Sequence, residues 1–262
     1  MKVVLFCGGL GTRIREYSEK VPKPMIPVGH QPILWHVMKY YAHFGHTDFI
    51  LALGYKADVI KSFFLDYNEA MSNDFTLSKG GREMQLASSD IDDWTITFVD
   101  TGIDSNIGER LLAVREHLGG DEMFLANYSD GLTDLDLNGH IERFRGSNAI
   151  ATFLAVKPPL TYHTVDADPD GTVTQMLPIS SANVWINGGY FVLRTEIFDH
   201  MNPGEELVLE PFQRLLKERR LLAQSHSGFW APMDTFKEKQ RLEDFVATGH
   251  APWELWKPQI KS

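Results

Sequence analysis

The chain has 262 residues, with 25 Lys and Arg against 35 Asp and Glu, so its formal net charge is −10. This length suffices for one large domain or for a core with an appendage, and the single Cys excludes a disulfide-stapled miniprotein. A net negative charge and the absence of a run of basic residues argue against nucleic acid or an anionic membrane as a partner. Any polyanion that binds must therefore meet a local basic pocket.

The N-terminal apolar run, residues 3–7, is too short for a signal peptide or a membrane span. Cys7 within this run has no partner in the chain, which is typical of a reducing compartment. Its position indicates a small packed residue rather than a catalytic thiol. We therefore predict a cytoplasmic protein.

Periodicity predicts an alternation of strands and helices through the first half of the chain. The strands are predicted at residues 2–7, 48–53, 95–99 and 123–126, and the helices at 33–41, 57–67 and 109–118. The second half continues with predicted helices at 137–144, 207–218 and 236–247 and predicted strands at 149–156, 172–176, 185–193 and 221–225. An α/β fold follows, with a Rossmann-like, mixed but mainly parallel sheet, flanking helices and a small antiparallel C-terminal appendage.

Two peripheral segments stand apart from this alternation. The polar residues 74–89 predict a hairpin or flap over the sheet edge. The apolar tail at 253–256 is predicted to dock on the body of the protein or on a neighbouring subunit.

A glycine-rich loop, Gly8-Gly9-Leu10-Gly11-Thr12-Arg13, directly follows the first predicted strand. It does not match a dinucleotide fingerprint, because Ile14 stands where that motif has Gly or Ala, and it lacks the ending of a P-loop. Its backbone N–H groups, with the side chains of Arg13 and Lys23, would suit a triphosphate. The alternative is a glycine turn with a solvated Arg and Lys.

Further motifs in a consistent order give the chain a resemblance to sugar-1-phosphate nucleotidylyltransferases, most of all to the glucose-1-phosphate cytidylyltransferase branch. The matching segments after the loop are Pro22-Lys23-Pro24-Met25, Gln31-Pro32-Ile33-Leu34, Trp35-His36-Val37-Met38-Lys39, Gly54-Tyr55-Lys56, Val99-Asp100-Thr101-Gly102, Gly108-Glu109-Arg110-Leu111, Asp130-Gly131, Ile186-Asn187-Gly188-Gly189, 228–235 and 251–253. The resemblance implies a GT-A-like nucleotidyltransferase fold for residues 1–262 as one domain. Its nucleotide-binding half would be 1–135 and its acceptor-binding half 136–262.

The resemblance also implies the reaction, in which a phosphate oxygen of the acceptor attacks the α-phosphorus of CTP in line and pyrophosphate leaves. A phosphate dianion is already a nucleophile, so positioning and charge neutralisation carry the catalysis. Lys23 would lie near the α-phosphate, and Arg13 would help the pyrophosphate to leave, which makes these two the catalytic residues. The nucleotide-binding residues implied in the same way are Gly8, Gly9, Leu10, Gly11, Thr12, Tyr55, Lys56, Gly108 and Arg110.

Base selection by Arg110 would use a hydrogen bond to a pyrimidine carbonyl. The alternative is a solvated Arg in the first turn of a helix. The cytidylyltransferase pattern has Thr-Gly-Gly-Arg where this chain has Ile107-Gly108-Glu109-Arg110, so UTP and dTTP stay open as alternatives to CTP.

Asp130 and Asp234 are the predicted metal ligands. Asp130 follows a central strand, at the end where ligands bind in open α/β sheets, and Asp234 lies in a Pro-bounded loop far along the chain. Mg²⁺ takes one or two carboxylates besides water and substrate phosphates, so this pair would suffice. The alternative for Asp130 is a capping residue in a Ser-Asp-Gly turn.

The acceptor side departs from the family pattern. Gln175-Met176-Leu177-Pro178 replaces a Glu-Lys-Pro motif that would hold the sugar hydroxyls and the acceptor phosphate, and residues 160–164 replace a second element. Losing a carboxylate and a cation from one pocket changes what fits there. The acceptor is then a hexose 1-phosphate or another molecule, such as a modified sugar, a cyclitol or a phosphonate. The candidate acceptor-binding residues are Lys157, Tyr162, His163, Trp185, Asn187, Glu210 and Trp230.

Three of these candidates have structural alternatives. Trp230 could be a core residue, Asn187 a turn residue and Glu210 a charge at a helix N-terminus.

Two function classes are open at this point. The first is a Mg²⁺-dependent cytidylyltransferase, and the second is a relative that binds nucleotide or sugar phosphate without turnover. Retention of Arg13, Lys23, Asp130 and Asp234 favours the enzyme. The predicted partners are CTP and a phosphorylated small molecule, with no nucleic acid and no membrane, and the predicted assembly is a homo-oligomer.

Overall fold

A mixed sheet forms the centre of the computed structural model, which describes residues 1–9, 11, 14, 21–159 and 162–257. The strands are β1 (Val3–Phe6), β2 (Pro27–Val28), β3 (Gln31–Pro32), β4 (Asp48–Leu53), β5 (Phe75–Ser78), β6 (Glu83–Leu86), β7 (Thr95–Asp100), β8 (Met123–Tyr128), β9 (Gly131–Thr133), β10 (Ala151–Val156), β11 (His163–Ala167), β12 (Val173–Pro178), β13 (Ile186–Asn187), β14 (Phe191–Arg194), β15 (Leu221–His226) and β16 (Trp230–Pro232). The helices are α1 (Ile33–His43), α2 (Ala57–Leu65), α3 (Ile107–Ala113), α4 (Leu137–Arg145), α5 (Glu210–Lys217) and α6 (Phe236–Ala247). Short 3₁₀ turns cover Lys23–Met25, Glu69–Met71, Arg115–Leu118 and Thr195–His200.

Parallel pairing dominates the sheet, as predicted. β1 lies between β4 and β8 and is parallel to both, and β7 is parallel to β4. β14 is antiparallel to β8 and β10, and β15 runs parallel to β10. The carboxyl ends of β1, β4, β7 and β8 therefore meet at one edge, where ligands bind in open α/β sheets.

Apolar side chains cover both faces of the sheet, because successive residues of a buried strand point to opposite sides. Val3 and Leu5 of β1 belong to one core cluster with residues of α1, whereas Val4 and Phe6 belong to a second cluster with residues of α3 and α5. Because both faces of β1 are buried, all of its residues are apolar, and this explains the unbroken apolar run at residues 3–7. No helix within the described ranges combines the length and the apolar character needed to cross a bilayer.

The strand predicted at 185–193 is interrupted. The structure divides it into β13 and β14, because Gly189 and Tyr190 adopt positive φ angles of 79° and 51°. Asn127 stabilises the break by accepting a hydrogen bond from the Tyr190 N–H at 2.9 Å. β13 and β14 nevertheless both pair antiparallel with β10.

Three predicted helices are also shorter than expected, and α2 ends at Leu65 instead of at residue 67. α5 spans Glu210–Lys217 instead of 207–218 and begins with a Pro in its first turn. The helix predicted at 109–118 is divided into α3 and a 3₁₀ turn.

The peripheral segments have definite places. Residues 74–89 contain the antiparallel β5–β6 hairpin. The tail packs on its own chain, because Trp253 is fully buried and stacks on Phe229 with ring centroids 5.6 Å apart. The Trp253 indole N–H donates to Nδ1 of His36 at 3.3 Å. The tail therefore gives no support to the predicted homo-oligomer.

Cys7 is a packed residue, as predicted. It is completely buried just after β1, and this burial raises the pKa of its thiol to about 12. The thiolate needed for nucleophilic chemistry is thereby disfavoured.

Candidate active site

Three charged side chains from distant segments meet at the carboxyl edge of the sheet. Nζ of Lys23 donates to Oδ2 of Asp130 and, at 2.5 Å, to Oδ1 of Asp234. The exposed fractions of the three side chains are 13% for Lys23, 26% for Asp130 and 27% for Asp234. The two carboxylates predicted as a pair therefore lie beside one common cation in a partly desolvated site.

Asp130 is positioned by the end of β8. The preceding Ser129 donates its hydroxyl to the carbonyl oxygen of Phe6 at 2.8 Å, which ties β8 to β1 where the two strands end. The Asp130 carboxylate consequently lies at the edge where the parallel strands terminate, in the turn between β8 and β9.

Asp234 is positioned by the pairing of β9 with β16. In this ribbon Pro232 lies opposite Gly131, so the chain just after β16 is held next to the chain just before β9. Oε2 of Glu238 then accepts the N–H groups of Asp234 and Thr235, each at 2.8 Å, in the capping box of α6. The backbone on both sides of Asp234 is fixed.

Lys23 opens a 3₁₀ turn between Pro22 and the buried Pro24. Burial lowers the pKa of Lys23, but the charges of Asp130 and Asp234 outweigh burial, and the net pKa is raised. The ammonium group therefore stays charged in this site.

The glycine loop lines the cavity into which this triad opens. The cavity has a volume of about 200 Å³ and is lined by Phe6, Gly9, Gly11, Ile14, Lys23, Pro24, Ser129, Asp130 and Asp234. Gly11 has a positive φ of 61°, a conformation that favours glycine. Leu10 and Thr12, which were predicted to bind nucleotide, and Arg13, which was predicted to be catalytic, lie outside the described residues.

Arg110 lies buried beneath the glycine loop, so the alternative of a solvated helix residue is wrong. Its guanidinium donates to the carbonyl oxygens of Gly8 (3.1 Å), Leu53 (3.0 Å) and Gly102 (2.9 Å) and to Oγ1 of Thr101 (2.6 Å). A Cβ at Gly8 would lie 2.1 Å from a guanidinium nitrogen, so glycine is required there to admit Arg110. The hydrogen bond from Arg110 to a base stays a prediction.

Tyr55 and Lys56 lie beside the same loop. The N–H of Tyr55 donates to the carbonyl oxygen of Gly8 at 3.4 Å, and Nζ of Lys56 lies 5.4 Å from the centroid of the Tyr55 ring. Gly108 has a different neighbour, since a Cβ there would lie 2.1 Å from the carbonyl oxygen of Glu205. This close contact is enough to explain why residue 108 is a glycine, whether or not a base binds there.

Asn187, a candidate acceptor-binding residue, contacts Tyr128, which was not a candidate from the sequence. Nδ2 of Asn187 donates to the hydroxyl of Tyr128 at 3.4 Å, and Tyr128 lies two residues before Asp130. Burial, with the charges of Glu206 and Asp130, raises the pKa of Tyr128 to about 12. Its position at the end of β8, two residues before Asp130, could have marked Tyr128 as a candidate from the sequence.

The aromatic candidates Trp230 and Trp185 each contact another part of the chain. Trp230 is half-buried and donates its indole N–H to the carbonyl oxygen of Gly188 at 3.0 Å. Nζ of Lys157 donates to the carbonyl oxygen of Ala182 and lies 4.8 Å from the centroid of a Trp185 ring. Lys157 is thus held over the indole of Trp185.

The remaining acceptor candidates lie further out. Tyr162 and His163 are exposed at the start of β11. Glu210 is the exposed first residue of α5, and its carboxylate accepts the N–H of Glu206 at 3.1 Å. This contact supports the helix-terminal alternative for Glu210.

The donor set at the triad fits a divalent cation. Two carboxylate oxygens already converge on one positive charge, and hard oxygen ligands are those that Mg²⁺ prefers. Among the described residues, no three His, Cys, Asp or Glu side chains form a metal-binding group by themselves. An ion at this place would therefore also need phosphate oxygens and water.

Comparison with known proteins gives the family. The family model for nucleotidyl transferases matches residues 2–235. The chain belongs to this family. The glucose-1-phosphate cytidylyltransferase of Salmonella typhi is 38% identical over 257 residues, which are 98% of this chain and 100% of that protein. The probable glucose-1-phosphate cytidylyltransferase of Bacillus subtilis (strain 168) is 36% identical over 258 residues, with the same coverage of 98% and 100%.

A solved structure supports the fold of this nucleotidyltransferase. The crystal structure of a putative glucose-1-phosphate thymidylyltransferase from Bacillus anthracis has a TM-score of 0.66 at 17% identity, covering 94% of this chain and 95% of that one. The expectations of a GT-A-like fold and of nucleotidyltransferase activity are confirmed.

Proposed function

We propose that this nucleotidyltransferase condenses CTP with a sugar 1-phosphate, forming a CDP-linked product and pyrophosphate. The observation that carries the proposal is the meeting of the Asp130 and Asp234 carboxylates at Lys23, beside the glycine loop. The names of the relatives, glucose-1-phosphate cytidylyltransferases, favour CTP and glucose 1-phosphate as the first substrates to test.

Asp130 and Asp234 would hold Mg²⁺ together with oxygens of the triphosphate. Bound there, the ion would offset the charge of the triphosphate and polarise the α-phosphorus. Lys23 would exchange its carboxylate partners for an oxygen of the α-phosphate, where negative charge shifts during the transfer. Arg13 is proposed to act on the leaving pyrophosphate.

The acceptor would enter from the side of Tyr128, Asn187 and Trp230. These groups offer a hydroxyl, an amide and an aromatic surface, which suit a sugar or another polyhydroxylated body. Gln175 and Met176, which replace the charged family motif, lie exposed on β12. A modified sugar, a cyclitol or a phosphonate therefore remains an alternative acceptor. The cytoplasmic location and the homo-oligomer remain predictions.

Pyrophosphate release tests the proposal. CTP, UTP, dTTP and GTP are each incubated with the protein, Mg²⁺ and one of four acceptors, which are glucose 1-phosphate, glucosamine 1-phosphate, inositol 1-phosphate and 2-aminoethylphosphonate. We expect release with CTP and glucose 1-phosphate above every other pair. The same panel is run as a thermal shift, because a true ligand stabilises the folded state by mass action. If no pair releases pyrophosphate while CTP alone stabilises the protein, the better explanation is that the protein binds nucleotide without turnover.

A further inference from the structure

A second cavity, of about 430 Å³, lies beside the first turns of α6. One part of its lining is apolar and comprises Pro159, Tyr162, Ala231 and Pro232. The other part carries two cations, Lys237 and Arg241. A cavity of this size, with an apolar wall and a few charged groups, is typical of sites for small molecules.

The second cavity continues the active site along the chain. Pro232 and Thr235, which line it, flank the proposed metal ligand Asp234. Pro232 also lies two residues beyond Trp230 in β16, and side chains two apart on a strand share one face. The lining of the second cavity thus includes chain neighbours of a proposed metal ligand, Asp234, and of an acceptor-binding candidate, Trp230.

The cations of this cavity differ from their neighbours on α6. Lys237 and Arg241 are one helical turn apart and therefore lie on the same face. Neither forms an ion pair with any residue in the described part of the chain, whereas Lys239 pairs with Glu243 at 2.7 Å. The guanidinium of Arg241 lies 5.7 Å from the centroid of the Phe245 ring, an aromatic contact that leaves its positive charge in place.

One carboxylate also lines the cavity, that of Glu238. Its Oε2 is already engaged in the α6 capping box, where it accepts the N–H of Asp234 and of Thr235. The lining therefore keeps a net positive charge of one, with both cations available to an anion from outside.

We propose that this cavity, through Tyr162, Lys237 and Arg241, binds a second anionic group on the acceptor whose first phosphate is nucleotidylated. The inference rests on the proposed function and specifies its substrate class, which is a compact acceptor with two anionic ends, the distal one a phosphate, phosphonate or carboxylate. Thr235 and Arg241 are six positions apart, about 9 Å along the helix, so a molecule the size of a hexose bisphosphate spans the distance. Tyr162 supplies an aromatic ring and a hydroxyl for the body of that molecule.

The test compares two acceptors that differ only in the distal group. Glucose 1-phosphate and glucose 1,6-bisphosphate are assayed by pyrophosphate release with CTP and Mg²⁺, in the wild-type protein and in Lys237→Gln/Arg241→Gln. The matched control, Arg143→Gln/Lys217→Gln, removes the same charge at two exposed positions that do not line the cavity.

For the wild type we expect the KM for the bisphosphate to be at least about tenfold below that for the monophosphate. The Lys237→Gln/Arg241→Gln variant should lose this difference while its KM for glucose 1-phosphate stays unchanged, and the control should keep it. Equal KM values in the wild type, or binding of the bisphosphate only as an inhibitor, would overturn the inference and leave the proposed function intact. No pyrophosphate release from either acceptor would overturn both.

Discussion

Nζ of Lys23 lies 2.5 Å from Oδ1 of Asp234, although 211 positions separate the two residues in the chain. The contact joins the segment after the glycine loop to the start of α6, and Asp130 completes it from the end of β8. A single ammonium group thus holds together the two carboxylates on which the proposed chemistry depends.

Replacing Lys23 should therefore impair transfer far more than folding. In Lys23→Met we expect kcat for pyrophosphate release to fall by about 10²–10³-fold, the range found when one charge-stabilising donor is removed from an active site. The KM for CTP should change less than kcat. Steady-state assays measure both, with Lys217→Gln as the control for loss of a surface lysine. A kcat within a factor of about two of the wild type would exclude the proposed role of Lys23.

Arg110 should act mainly through the architecture of the glycine loop. Arg110→Met removes the guanidinium donor from the carbonyl oxygens of Gly8, Leu53 and Gly102, and we expect the free energy of unfolding to fall by about 3 kcal/mol. Gly8→Ala should also destabilise, because its Cβ would meet the guanidinium.

A double-mutant cycle decides whether these two residues are coupled. In the Arg110→Met background, Gly8→Ala should cost clearly less than in the wild type, because the clashing group is gone. Urea denaturation of the four proteins supplies the free energies. Additive costs would show that Gly8 is required for another reason.

His36 should make the protein less stable in mild acid. Burial lowers the pKa of His36 to about 4, whereas the value for an unfolded histidine is near 6.5. Between these values the unfolded chain binds a proton that the folded chain does not, so the free energy of unfolding falls as the pH falls from about 6.5 towards about 4. This group alone should remove about 2 kcal/mol between pH 7 and pH 5.

His36→Gln tests this pH dependence. Glutamine can donate to the carbonyl oxygen of Val28 and accept from the Trp253 indole, as His36 does, but it does not titrate. The loss of stability between pH 7 and pH 5, measured by urea denaturation, should be smaller in this variant than in the wild type. His30→Gln, at an exposed position, is the control. An identical loss in His36→Gln and the wild type would count against the buried neutral imidazole.

Trp253 should stabilise the single chain rather than an assembly. Its ring is fully buried against Phe229 and Phe245 of the same chain, so Trp253→Ala should cost about 3–5 kcal/mol of unfolding free energy. The molar mass from light scattering should equal that of the wild type. Trp253→Phe should lose less stability, because most of the apolar contact remains. A lower molar mass at unchanged stability would place the tail in a subunit interface.

The sequence predicted the elements whose signals are local. The apolar run of β1 and the periodicity of α6 are each contained within a few neighbouring residues, and the structure reproduces them. The break between β13 and β14 was missed, because it depends on Tyr190 taking a positive φ that the distant Asn127 stabilises. The strand propensity of the residues around Tyr190 carries no information on such a long-range contact.

The same distinction applies to the site. Asp130 and Asp234 could be named from their motifs, but the β9–β16 ribbon that brings them together pairs segments about 100 residues apart and was not predicted. Burial of Arg110 was missed because charged residues are seldom buried, and its five protein acceptors come from three separate segments. That Gly8 is required to admit Arg110 was not predicted either, and its role in nucleotide binding stays a prediction.

Mn²⁺ binding in the presence of CTP, followed by water-proton relaxation, tests most directly whether Asp130 and Asp234 form one metal site. We predict that Asp130→Asn and Asp234→Asn each weaken Mn²⁺ binding by at least about tenfold. Asp121→Asn, at an exposed carboxylate outside the cavity that the two ligands line, should bind Mn²⁺ like the wild type. Wild-type Mn²⁺ affinity in both Asp130→Asn and Asp234→Asn, with CTP still bound, would contradict the account.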